Sequence, residues 1–205
     1  MARVGAELRR QDFVEATIKV IAEHGVANAT TRRIATAAGC PLASLHYLFH
    51  TKEDLFYAVF ETLFTLPQQA LENVPAGTTV VETSTGLLRH LIHWFITHPN
   101  AAVAQYDLFN WANRNAPEMA AKIYAEAIEA AKQAIERSVG VQLDEASLGV
   151  ISRLLVQLVD GLVIAWSAHR DDARLRIETE TACEALAMLV TSQLTHQAAL
   201  LRATN

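Results

Sequence analysis

An all-α fold of about nine helices follows from three features of the sequence. Apolar residues recur at helical spacing, as in Phe13, Val14, Thr17, Ile18 and Ile21. Glycine and proline are scarce, 8 and 5 in 205 residues, while alanine, leucine, glutamate and lysine fill long stretches, which favours helix. The punctuation falls between the periodic segments: Gly25, Gly39, Pro41, Pro75-Ala76-Gly77, His98-Pro99, Ala116-Pro117, Gly140 and Asp171-Asp172. No segment reads convincingly as strand.

The first helix is expected over Glu7–His24, stopped by Gly25 as a glycine just past a helix end stops one. A connector, Val26 to Ala29, leads to Thr30, a good N-cap for a short helix from Thr31 to Ala38. Arg33 at the third position rules out a capping box there. Gly39 ends this helix, and Pro41 suits the first turn of the next, Pro41–Phe49, whose Leu45 and Phe49 can face inward together. Thr51 caps a long fourth helix that begins Lys52-Glu53-Asp54, with acids in its first turn, and Pro67 is expected to kink or end it. Further helices are expected over 78–97, 100–113, 117–139, 144–169 and 173–202.

Composition narrows the function classes. Cys40 and Cys183 lie far apart and give neither a disulfide framework nor metal-ligand spacing. The first residues are not followed by an apolar signal region, and unbroken apolar runs such as Leu186 to Val190 are short. A soluble, cytoplasmic protein with no membrane partner is therefore expected. The net charge of -5 argues by itself against nucleic acid, but its distribution does not. From His24 to Lys52 there is no carboxylate, while Arg32, Arg33, Lys52 and three histidines fall there. Residues 1–54 hold 7 basic against 6 acidic groups, so the acidity lies in the remainder. A charge-poor stretch can also simply be buried.

The segment Thr30 to Phe49 reads as helix, glycine turn, helix, with Ala35, Ala38 and Gly39 allowing close approach, which is the sequence form of a helix-turn-helix. Four blocks stand in order: Thr30-Thr31-Arg32-Arg33-Ile34-Ala35, Ala38-Gly39-Cys40, Leu45-His46-Tyr47-Leu48-Phe49 and Lys52-Glu53-Asp54-Leu55. Together with Phe13, Ala16 and Gly25 they resemble the tetracycline-repressor (TetR) family over roughly the first 60 residues. The resemblance implies an N-terminal three-helix DNA-binding domain, residues 1–55, followed by an effector-binding and dimerisation domain, residues 56–205. It implies a ligand-responsive regulator of transcription, usually a repressor, with double-stranded operator DNA, a small-molecule effector and a second copy as partners. Thr31 and Arg32 match places at the start of helix two that touch DNA. Leu42, Ala43 and Ser44 match the N-terminal face of the recognition helix, His46 and Tyr47 its two aromatic positions, and Lys52 a lysine that meets a phosphate. The residue types agree, since arginine, lysine and hydroxyl groups are the usual phosphate partners. The chain departs from the family pattern at His46, where tyrosine is usual, and at Leu48, Ala43 and Pro41, where histidine, glycine and serine are common. Tyr47 could alternatively pack on helix one, whereas Ile34, Leu45 and Phe49 read as core.

In the second half, Leu148 to Trp166 is apolar around most of a helix, and such a helix needs cover on both sides. Leu155, Leu158, Leu162 and Trp166, with Leu186 and Leu189 on the last helix, are the candidate dimer contacts that the family architecture implies. Asp160 interrupts this apolar helix and needs a partner, within the dimer or at a ligand. Aromatic and amphipathic groups are dense on helices four to seven: Phe60, Phe64, His93, Trp94, Tyr106, Phe109, Asn110 and Tyr124. They are candidates to line an effector pocket, although any one of them can be core. His90, His93 and His98 lack a thiolate or paired carboxylate at metal spacing. No phosphate loop, dinucleotide fingerprint or nucleophile elbow occurs, so neither a metal, a cofactor nor an enzymatic activity is expected. The rival reading is a helical small-molecule carrier or enzyme without DNA binding.

Overall fold

The computed structural model describes residues 2–72, 79–138, 140 and 143–203, without the side chains of 2–5, 64–72, 201 and 203. Among the described residues there are nine α-helices and no strand: α1 Ala2–His24, α2 Thr31–Ala37, α3 Leu42–Leu48, α4 Lys52–Glu72, α5 Val80–Thr97, α6 Pro99–Asn115, α7 Pro117–Glu136, α8 Glu145–His169 and α9 Asp172–Ala203. The Pro75-Ala76-Gly77 signal and the Phe64 side chain lie outside the described residues.

Most boundaries have a visible cause. Gly25 turns the chain with φ 77° as its N–H reaches the Ile21 carbonyl, and the connector Val26–Asn28 forms a single 3-10 turn. Thr30 caps α2, its hydroxyl accepting from the Arg33 N–H at 3.3 Å. Gly39, with φ 62°, ends α2 in a Schellman arrangement, Cys40 N–H to Ala35 carbonyl and Gly39 N–H to Thr36 carbonyl. A Cβ at residue 39 would meet nothing within 4 Å, so this glycine serves the left-handed turn and not the close helix approach the sequence suggested. Pro41 is the N-cap of α3 rather than its first residue. Thr51 and Asp54 cap α4 reciprocally, at 2.9 and 3.0 Å, and Thr79 and Glu82 do the same at α5. Asp144 caps α8 through the Ser147 N–H at 2.8 Å, which holds its carboxyl below the ordinary aspartate range. α4 does not end at Pro67 but continues to Glu72.

Two compact units form, and neither follows chain order. The first comprises Met1–Leu66 and His98–Ile123, so α6 belongs with α1–α3. Its core holds Phe13, Ile21, Ile34, Leu45, Phe56, Phe60 and Leu108, all within 1 % of complete burial. The second comprises Pro67–Thr97 and Tyr124–Asn205, where α5, α8 and α9 pack on one another around Leu87, Leu88, Ile151, Leu155, Val163 and Leu186. Arg89 of α5 makes a bidentate pair with Glu180 of α9, at 2.7 and 2.8 Å. Arg170, in the left-handed region at φ 52°, closes the α8–α9 turn and lies over the Trp166 ring, whose N–H donates to Asp172.

Short unbroken runs are a poor guide to α8. Over its 25 residues it is long and apolar enough to cross a membrane, and 33 % of its most apolar stretch is buried within the chain. The remainder needs other cover, while Arg153, Gln157 and Asp160 punctuate it with polar groups.

Leu186 is fully buried on α9. Leu186→Ala is expected to lower unfolding stability by about 2–5 kcal/mol through lost apolar contact and the cavity left behind. Urea unfolding at fixed protein concentration measures this.

Candidate functional site

Three short helices become one rigid object through a small core. Phe13 of α1 meets Phe49 edge-on, with ring centroids 6.5 Å apart, and Arg10 lies over the Phe49 ring at 5.3 Å. Leu45 and Ile34 complete this core. With Leu45 and Phe49 turned inward, the opposite stripe of α3 must face out. Ala43, His46, Tyr47 and, just beyond the helix, His50 are all exposed, at the i, i+3, i+4, i+7 spacing of one helix face. Tyr47 is 81 % exposed, so it does not pack on α1. Leu42 and Ser44 are half-buried.

Beside this stripe stand the groups suited to phosphate. Thr31 is half-buried and Arg32 exposed on the first turn of α2. Arg33 instead braces the connector, donating to the Asn28 carbonyl at 3.0 Å. The Lys52 ammonium lies 4.9 Å over the Phe56 ring, a platform that orients it without neutralising it. Exposed hydroxyls, cations and aromatic edges on a short helix can read a polyanion and the base edges in its groove.

The other candidate residues fall in both units. In the first, Phe60 is fully buried, Tyr106 and Phe109 are half-buried and Asn110 is exposed. In the second, Trp94 is buried against Phe95, ring centroids 5.1 Å apart, and His93 is exposed. Tyr124 of α7 finds Asp160 of α8, which gives that carboxylate a partner inside the chain. Burial first, then the charge of Asp160 and their hydrogen bond, raise the Tyr124 phenol above the ordinary tyrosine value. No group of three or more metal-ligating side chains comes together among the described residues.

Of the candidate dimer contacts, Leu155, Leu186 and Trp166 face the chain's own core, whereas Leu158, Leu162 and Leu189 are half-exposed. Among the described residues, the large apolar side chains left outward on α8 and α9 are Val150, Ile164, Ile177, Met188 and Leu200, at 40, 54, 71, 74 and 54 % exposure. Periodicity could not separate these sets, because α8 is apolar on nearly every side.

Sequence reasoning missed three residues of α6. Gln105 is 8 % exposed and its side-chain oxygen has no donor among the described residues. Asp107 accepts the Val26 N–H at 2.5 Å, and Trp111 lies edge-on to Phe56 with ring centroids 5.0 Å apart. The partners of Asp107 and Trp111 are 55 or more residues away in sequence, so no local signal marked them.

Comparison with known proteins settles the class. Residues 13–59, which span the core and outward stripe just described, match the family model "Bacterial regulatory proteins, tetR family". The chain's N-terminal segment is that of a tetR-family bacterial regulatory protein. Over 178 residues this regulator is 24 % identical to the HTH-type nicotine-responsive transcriptional repressor HdnoR of Paenarthrobacter nicotinovorans, covering 84 % of this chain and 90 % of that one. Its fold is similar to multidrug binding protein EbrR complexed with ethidium, with a TM-score of 0.68, 24 % identity and coverage of 88 % and 97 %. It is also similar to the transcriptional regulator FadR from Bacillus subtilis in complex with stearoyl-CoA, with a TM-score of 0.72, 17 % identity and coverage of 86 % and 97 %. Members of the family are DNA-binding transcription regulators and not enzymes. This regulator therefore joins the N-terminal helix-turn-helix of a DNA-binding transcription regulator to a larger helical part.

Proposed function

We propose that this regulator is a repressor that binds a palindromic operator as a homodimer in the cytoplasm and is released by a small apolar or aromatic effector. The observation that carries this reading is the outward stripe of α3, with Tyr47 at 81 % exposure opposite the buried Leu45 and Phe49. A large aromatic held in solvent on a short helix beside Arg32 and Lys52 is explained by DNA and by nothing within the first unit. Residues 1–55 are the DNA-reading part in this reading, and 56–205 serve the effector and the dimer. Thr31, Arg32 and Lys52 hold phosphates; Leu42, Ala43, Ser44, His46 and Tyr47 face the bases.

Repression is supported by HdnoR, which is named a nicotine-responsive repressor. An aromatic effector is supported by that name and by the ethidium held by EbrR. Within this chain the groups suited to such a ligand are Tyr106, Phe109 and the donor-less Gln105 on α6, and Trp94, Tyr124 and Asp160 in the second unit.

A second copy covers the outward faces of α8 and α9. Val150, Ile164, Ile177 and Met188 are large apolar side chains exposed on these two helices, a surface that a partner's apolar face would cover. Gly161 is exposed and a Cβ there would meet nothing within 4 Å among the described residues, which leaves room for a partner helix. A bilayer is the poorer cover, because Arg153 and Gln157 are exposed on the same helix.

Selecting DNA fragments with the purified full-length protein tests the function directly and should return a two-fold symmetric site. Lys52→Ala should weaken binding to every sequence and reduce the salt dependence by about one counterion. Tyr47→Ala should change the sequence preference; equal loss on all site variants would return Tyr47 to a positioning role. Sedimentation should show a dimer without DNA, and Met188→Glu or Ile164→Glu should give monomers or insoluble protein. A soluble monomer of the unaltered chain at micromolar concentration would remove the α8–α9 interface. Nicotine, ethidium and fatty acids, screened by thermal shift, should include a stabilising compound that also releases the selected DNA. Tyr106→Ala or Trp94→Ala should blunt that release while operator affinity stays. Normal release in both variants would place these aromatics in the core instead.

A further inference from the structure

Besides its packing on α1, the helix-turn-helix is flanked by two contacts from α6, one before it and one after it. At the first, the Asp107 carboxylate accepts the Val26 N–H at 2.5 Å. The 3-10 turn Val26–Asn28 needs such an acceptor, because its N-cap residue is Gly25, which has no side chain to supply one. Gly25, at φ 77°, also brings the backbone close: a Cβ there would stand 3.5 Å from the same Asp107 oxygen. At the second point, Trp111 lies edge-on to Phe56, and Phe56 is the ring that carries the Lys52 ammonium. Residues 107 and 111 are four apart and share one face of α6.

These attachments reach the two ends of the reading motif. The connector held by Asp107 leads into Thr30, Thr31 and Arg32, and the far end of the same connector is braced by Arg33 on the Asn28 carbonyl. Phe56, held by Trp111, sits one turn into α4 from Lys52. We propose that Asp107 is a positioning residue for operator recognition and that, with Trp111, it makes α6 the mount of the helix-turn-helix. This rests on the DNA-binding reading above and deepens it. Because one rigid helix carries both attachments, a displacement of α6 moves the α2 entrance and the Lys52 platform together. Tyr106 and Phe109 lie on that same helix, so a ligand bearing on them acts on the mount.

The full-length protein and its selected DNA provide the test. Affinity is measured for the selected duplex and for a scrambled duplex of equal length, with melting temperature and salt slope followed in parallel. Asp107→Ala is expected to lose roughly tenfold or more on the selected duplex, the size of one charge-assisted hydrogen bond. Binding to the scrambled duplex should fall much less, since it needs no fixed register against the bases, and the salt slope should not change, since Arg32 and Lys52 keep their charges. Asp107→Asn keeps an acceptor oxygen and should recover most of the selected-duplex affinity, although it removes the same charge. Trp111→Phe, which shortens the aromatic reach, should also lower the ratio of selected to scrambled binding. A merely structural Asp107 would lower the melting temperature and leave that ratio at the unaltered value. An unchanged ratio in Asp107→Ala, or an Asn variant as impaired as the Ala variant, overturns the proposal. If Asp107→Ala does not fold, the Asn and Trp111→Phe variants decide by the same ratio. An unaltered protein that selects no sequence would instead overturn the DNA-binding reading, and the proposal with it.

Discussion

A seven-residue helix is not stable alone in water, so α3 exists only because Leu45 and Phe49 are buried against Phe13 and Ile34. That burial fixes the rotation of α3 about its axis. Once Leu45 points inward, Ala43, His46 and Tyr47 must point outward, and His50 is exposed just past the helix end. Recognition chemistry therefore follows from a packing constraint. A change that loosened the Phe13–Phe49 contact would rotate the reading stripe without altering a residue in it.

The first third of the chain was legible because its signals are local. A cap such as Thr30, a positive-φ glycine such as Gly39 and an inward pair such as Leu45 and Phe49 are each decided within a few residues. Helix boundaries further on came out within a few residues for the same reason. Of the two outcomes expected at Pro67, an end or a kink, the end does not occur, since α4 runs on to Glu72. Ala43, His46 and Tyr47 were readable as outward positions of α3, whereas Leu42 and Ser44 are half-buried and the exposed His50 was not singled out.

What was not legible is long-range. Leu155 and Leu158 are both leucines on an apolar helix, and only the packing of α8 on α5 and α9 turns the first inward and leaves the second half-exposed. Asp160 looked like a misplaced acid until Tyr124, on a different helix, supplied its donor. Asp107 gave no signal, since an aspartate in the middle of an amphipathic helix reads as solvent-facing. Its role depends on a backbone N–H 81 residues away that a glycine leaves uncapped.

The size of these attachments bears on how release can work. A ligand shifts an equilibrium only by its differential affinity for the two states. The Asp107 bond is charge-assisted and worth about 1.5–3 kcal/mol, and the Phe56–Trp111 edge contact adds about 0.5–1.5 kcal/mol. A ligand of micromolar affinity has about 8 kcal/mol available, so even a part of it, spent differentially, exceeds both attachments in one subunit. Moving a population from one bound extreme to the other takes about 5.5 kcal/mol. In a dimer each half carries its own pair of attachments, so two bound ligands can supply that difference without unfolding the core around Phe13. The mount on α6 is thus weak enough to be shifted by a small molecule, while the aromatic and aliphatic core of the reader is too costly to open by the same means.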